Sequence, residues 1–105
     1  MQRLLERKEQ IIDAIAGIRS MRRGTFNEVY RKRALKDGRV SVRGPFYNVT
    51  TKGKGNKTVT KAVTKKDAAR VREEVEGYRR FRALCEEYAD VCEGISLLSG
   101  DGGAA

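Results

Sequence analysis

The chain has 105 residues and a mass of 11.8 kDa, with one proline and no tryptophan, enough for one domain with a modest core shared between elements or subunits. It carries a net charge of +9 and no histidine, which removes the commonest general base and metal ligand and leaves acid–base and metal chemistry without support. No apolar run approaches the roughly 20 residues of a membrane span, and the first residues lack the apolar stretch of a secretory signal, so a soluble, cytoplasmic, non-enzymatic protein without metal or other cofactor is expected.

Over residues 2–20, Leu4, Leu5, Ile11, Ile12, Ile15 and Ile18 recur at helical spacing between charged residues, which predicts an amphipathic first helix. Gly17 weakens its end, and Arg22-Arg23-Gly24 reads as the exit into extended chain. Residues 25–31 are rich in Phe, Val, Tyr and Thr and predict a strand, with Asp37-Gly38 supplying a turn. Gly44-Pro45 sets an extended lead into a second strand over 46–51, and Gly53-Lys54-Gly55-Asn56 is the tip of a hairpin whose return strand covers 57–63. With Lys54 and Gly55 as a two-residue loop, Phe46, Val59 and Val63 share the face expected to pack on a helix, and the threonine-rich face meets solvent or a ligand; a one-residue slip reverses this. Thr64 is the expected N-cap of a long helix over 65–98, with Asp67 three residues on.

Two seven-residue series run along that helix, Val71, Tyr78, Cys85, Cys92 and Phe81, Tyr88, Ile95, widened by Leu84, Val91 and Leu98. They predict a coiled-coil-like seam. Cys85 and Cys92 are separated by a rise of roughly 10 Å on one helix, beyond the reach of a disulfide, and fit a reducing compartment. The fold class is therefore α+β: an N-terminal helix over 2–20, a basic β-rich segment over 24–63 forming a small three-stranded antiparallel sheet with a β-hairpin, and a long C-terminal helix over 65–98 pairing with the first as a stalk. One domain spans 1–98, and residues 99–105 read as a disordered tail.

The charge is unevenly placed. Residues 21–66 hold fourteen Lys/Arg against two Asp/Glu, a net of +12, while residues 1–20 are at +1 and residues 67–105 at −4. Such a segment calls for solvent or a polyanion, and phosphate backbones are the commonest polyanionic partner. Gly53-Lys54-Gly55-Asn56-Lys57-Thr58 superficially resembles a phosphate-binding loop, but Thr51 and Asn56 stand where the Walker spacing needs glycine and no helix follows directly. It reads as a cationic hairpin tip.

Four short motifs in order, Met21-Arg22-Arg23-Gly24-Thr25, Gly44-Pro45-Phe46-Tyr47, Lys57-Thr58-Val59-Thr60 and Tyr78-Arg79-Arg80-Phe81-Arg82, make residues 4–95 resemble a family of small uncharacterised bacterial, archaeal and viral proteins, often encoded beside transposases and other mobile-element genes. That family commonly carries a cysteine cluster ahead of the Gly-Pro-aromatic motif; residues 33–43 contain none, so metal binding is not implied here. The resemblance implies a setting in DNA mobility or a phage-like context. The strand-strand-strand-helix order also resembles the arm-binding domains of tyrosine recombinases at the level of fold alone.

These readings converge on a small nucleic-acid-binding accessory protein, with DNA favoured over RNA. Its expected phosphate contacts are Arg22, Arg23, Arg31, Arg33, Arg43, Lys52, Lys54, Lys57, Thr58 and Lys61. A homodimer or a partner protein is expected on the helices at Tyr78, Phe81, Cys85, Tyr88, Cys92 and Ile95. The alternative is an interaction adaptor that oligomerises through the stalk and docks its basic sheet on an acidic partner. No membrane association is expected, since the basic residues lie among strand formers and not on an amphipathic helix.

Overall fold

The computed structural model describes residues 1–100. Ser99 and Gly100 form the turn that ends the last helix, Ser99 donating its N–H to the Ile95 carbonyl at 3.0 Å; the rest of the expected tail lies outside the described residues. The elements are α1 (Gln2–Ala16), β1 (Thr25–Ala34), β2 (Val40–Lys52), a 3-10 turn (Lys54–Asn56), β3 (Thr58–Val63) and α2 (Ala68–Leu98). The three strands form one antiparallel sheet in the order β1-β2-β3. The α+β order expected from the sequence is present. The described residues form two compact units: Met21–Glu76, holding the sheet and the first turns of α2, and Met1–Ser20 with residues 77–100.

In the sheet unit the core is Val49, Val71 and Val75, all at most 2% exposed, with Phe26 and Val63 packed against them. Val71 and Val75 sit four residues apart on α2 and so present one helical stripe to one sheet face. Phe26 stacks on Tyr47 with ring centroids 5.6 Å apart, and the Arg72 guanidinium lies 4.9 Å from the Phe26 centroid. The start of α2 follows the expected capping chemistry. Asp67 N–H donates to Thr64 Oγ1 at 3.3 Å and the Thr64 hydroxyl donates to Asp67 Oδ2 at 3.1 Å, with residues 65–67 forming a turn and the α-helix proper opening at Ala68.

The β2–β3 register corrects the expected one by a single residue. Lys52 pairs with Thr58 and Tyr47 with Val63, because the connection is a five-residue loop closed by a hydrogen bond from Gly53 N–H to the Lys57 carbonyl at 2.7 Å. Gly55 and Asn56 both take positive φ, 73° and 62°, a turn the two-residue loop did not anticipate. Val49, Val59, Lys61 and Val63 therefore share the helix-covered face, and Thr50, Thr58 and Thr60 share the other. Of the three residues expected to pack on a helix, only Val63 does; Val59 is 42% exposed, and Phe46, on the opposite face, is 40% exposed.

In the helical unit α1 stops at Ala16, short of the expected residue 20, where the Gly17 N–H bonds the Asp13 carbonyl and Ile18 N–H turns back to Ile15. Glycine's backbone entropy cost favours termination there. Two α2 glycines permit close approach: a Cβ on Gly77 would collide with the Ser20 carbonyl oxygen, and one on Gly94 would meet Leu4 Cδ1 at 3.2 Å. Ile11 and Val91 are the buried residues of this unit among the described ones. The α2 seam is narrower than the sequence series implies. Tyr78, Phe81, Leu84, Tyr88, Cys92 and Ile95 are half-buried, but Cys85, about 100° round the helix from Leu84, is exposed, as is Leu98.

Arg7 clamps Glu87 from Nε and Nη2, both bonds at 2.6 Å. Hydrogen bonding from Arg7, helped by its charge, holds the Glu87 carboxyl below its ordinary range against a smaller opposing effect of desolvation. A carboxylate lowered in the folded state stabilises above its unfolded pKa and loses that contribution as pH falls through the folded value. The melting midpoint of Glu87→Gln is therefore expected to fall less steeply than that of wild type below about pH 5; parallel acid limbs would show that the clamp contributes nothing.

Candidate nucleic-acid interface

The sheet has one covered and one open face. Register places Thr25, Asn27, Val29, Arg31 and Arg33 of β1 on the open face with Ser41, Arg43, Phe46, Asn48, Thr50 and Lys52 of β2 and Thr58, Thr60 and Ala62 of β3. No element of the same unit covers this face among the described residues. Side-chain contacts confirm its sense: Asn27 Nδ2 donates to Asn48 Oδ1 at 2.8 Å and to Thr50 Oγ1 at 3.3 Å, and the Arg31 guanidinium stands 4.6 Å from the centroid of the Phe46 ring. The result is a surface of hydroxyls and amides with an aromatic face and cations around it.

Not all the expected contact residues gather there. Arg31, Arg33, Arg43, Lys52 and Thr58 do, whereas Lys54 and Lys57 stand in the β2–β3 loop and Lys61 falls on the opposite face, opposite Val49. Arg22 is half-buried, its N–H donating to the Glu74 carbonyl at 2.9 Å, and Arg23 is exposed beside it. Among the described residues, Arg33, Arg43, Lys52, Lys54 and Lys57 make no ion pair. Unpaired, solvated cations keep their full field for an incoming anion.

The sequence reading missed the length of the first hairpin. β1 runs to Ala34 and β2 starts at Val40, so Lys32, Lys36 and Arg39 join the same projection. The signal was present in Val40 and Val42, which alternate with Ser41 and Arg43. At its tip Asp37 accepts from Arg39 N–H at 3.1 Å and from Arg39 Nε at 2.6 Å. Arg39 thereby holds the Asp37 carboxyl below its ordinary range, so one of the only two acids of residues 21–66 is matched within the chain.

Of the aromatics among the basic residues, Tyr47 is engaged with Phe26, while Tyr30 is 54% exposed and donates its hydroxyl to Glu28 at 3.3 Å. On the covered face, Phe26, Tyr47, Lys65, Ala68, Ala69 and Arg72 line a shallow depression of about 250 Å³, below the roughly 300–1,000 Å³ of a usual small-molecule site. Among the described residues no three metal-ligating side chains come together, and no helix is long and apolar enough to cross a membrane. Both thiols are free. Comparison with protein-family models, with curated proteins and with solved structures finds no match for this chain.

Proposed function

We propose that this chain binds nucleic acid, DNA in preference to RNA, through phosphate contacts from the open sheet face and the β2–β3 loop. The observation that carries the reading is a net +12 over residues 21–66, of which Arg31, Arg33, Arg43 and Lys52 stand on a sheet face left uncovered by its own unit. Guanidinium and ammonium groups position a phosphate backbone, and hydroxyls and amides such as Thr58 and Asn48 add hydrogen bonds to it. Arginine stacked on an exposed phenyl ring, as at Arg31 and Phe46, also offers a platform for an unpaired base. An accessory role beside enzymes that move DNA is the setting the motif resemblance suggests.

The test is a fluorescence-anisotropy titration of the chain with labelled duplex DNA, single-stranded DNA and RNA across a salt series. Binding with Kd on the order of 1–100 μM near physiological salt, weakening steeply as salt rises, is the expected result. Absence of binding at low salt would falsify the reading.

A second reading, an adaptor that self-associates, is favoured by Met1, Leu5 and Ile12, 48%, 42% and 47% exposed. Leu5 and Ile12 lie seven residues apart on one side of α1, a spacing suited to a helical partner. The mass in solution, recorded in the same experiment, decides it: a monomer at every concentration removes this reading.

A further inference from the structure

Beyond its third strand the sheet narrows to a two-stranded ribbon. β3 pairs with β2 only over Tyr47 to Lys52, whereas β1 and β2 stay paired past the irregularity at Gly44-Pro45 as far as Ala34 opposite Val40. Every residue from Glu28 to Val40 is exposed. Two-stranded ribbons are marginal on their own in water, so one held out from its core is placed to gain support from something it meets.

The ribbon's arginines lie on one face. The extra residue of the bulge is on β2, so β1 alternates regularly, and Arg31 and Arg33 point the same way as Asn27; Arg43 stands directly across the ladder from Arg31. Directly opposed like charges on one sheet face repel, and an anion between them reverses the sign. Three guanidiniums spread over two strands are forks suited to planar acceptors, and the only acid at the tip is already held by Arg39.

We infer that the β1–β2 ribbon is an arm that lies in the major groove of duplex DNA, with Arg31, Arg33 and Arg43 toward the base edges. This rests on the nucleic-acid reading above and names the form and the groove. A two-stranded ribbon fits the B-DNA major groove, about 12 Å wide, and not the minor groove, about 6 Å wide. From Val29 to Ala34 the arm spans roughly 17 Å at about 3.3 Å per residue, enough to cross the groove. Guanine O6 and N7 form the acceptor pair that an arginine fork meets best. The deep, narrow major groove of A-form RNA excludes such an arm.

The experiment measures the affinity of the full chain for a GC-rich DNA duplex, the same duplex with 7-deazaguanine for guanine, and the RNA duplex of the same sequence. The chain is expected to bind the DNA about tenfold or more tighter than the RNA, and to lose about tenfold on the 7-deaza duplex, the effect of one weakened bidentate contact. R31A/R33A/R43A, which removes the forks, should still bind through the remaining cations but no longer distinguish 7-deazaguanine, since lysine in their place could itself reach guanine N7. Because the sites are exposed, an unchanged melting curve accompanies that result. If wild type binds all three duplexes equally, or the alanine variant still senses 7-deazaguanine, the arm does not read the major groove, although nucleic-acid binding stands. Absence of binding to any of them at low salt removes both readings together.

Discussion

Gly24→Ala is expected to lower the melting midpoint by about 10 °C or more, the largest effect of any one-methyl change in the sheet unit. Gly24 has φ +130°, and a Cβ there would lie 2.6 Å from Val49 Cγ1, 2.9 Å from the Thr50 carbonyl oxygen and 2.9 Å from Thr51 Cγ2. Val49 is 1% exposed at the centre of the core, so the methyl group has nowhere to go without moving β2. Backbone strain of about 1–3 kcal/mol and overpacking of about 1–3 kcal/mol combine, at roughly 4–8 °C per kcal/mol for a domain of this size. Gly55→Ala is the control. Gly55 also has positive φ, +73°, but nothing lies within 4 Å of its added Cβ, so only the left-handed cost of about 1–2 kcal/mol applies. Equal melting curves for the two variants would contradict the packing of Gly24 on Val49.

The elements with a strong local signal were legible in the sequence. Helical spacing found α1, and Thr64 with Asp67 found the cap that opens α2, because a hydroxyl three residues from an acceptor-bearing side chain has one favoured local geometry. Asp37-Gly38 marked the first turn, and Gly38 does take a positive φ of 83°. The second hairpin was ambiguous for a physical reason. Neither face of residues 46–63 is cleanly apolar, so the alternation does not fix register, and the loop geometry decides it. Asn56 at positive φ lengthened the loop and put Asn48 and Thr50, in place of Tyr47 and Val49, on the open face with Thr58 and Thr60.

The candidate site was legible as a charge and not as a surface. Summing charge over residues 21–66 cannot tell that Lys61 faces away from Lys52, or that Arg31 and Arg43 are ladder partners, since both depend on pairing between distant residues. The helical seam shows the same limit. Cys85 is exposed although Tyr78 and Cys92, seven residues to either side of it, are half-buried, while Gly77 and Gly94, apolar only by absence, allow the close approach of Ser20 and Leu4.

The second large effect concerns Lys54 and Lys57 of the β2–β3 loop together with Lys52 at the adjoining end of β2. K52E/K54E/K57E is expected to weaken DNA binding by about 10²–10³-fold near physiological salt and to reduce the slope of log K against log salt by about 2.7, roughly 0.9 for each phosphate no longer neutralised. All three lysines are exposed and make no ion pair among the described residues, so their reversal leaves the fold's own interactions in place and the melting midpoint nearly unchanged. Lysine is a point charge without a planar fork; the weakening should therefore be uniform across DNA sequences and equal on guanine and 7-deazaguanine duplexes. That uniformity separates these lysines from the arginine ribbon, whose removal abolishes the discrimination. An unchanged slope in the charge-reversed variant would mean that neither the loop nor Lys52 meets phosphate, and would leave the arginines of the open face and ribbon to carry the whole electrostatic attraction.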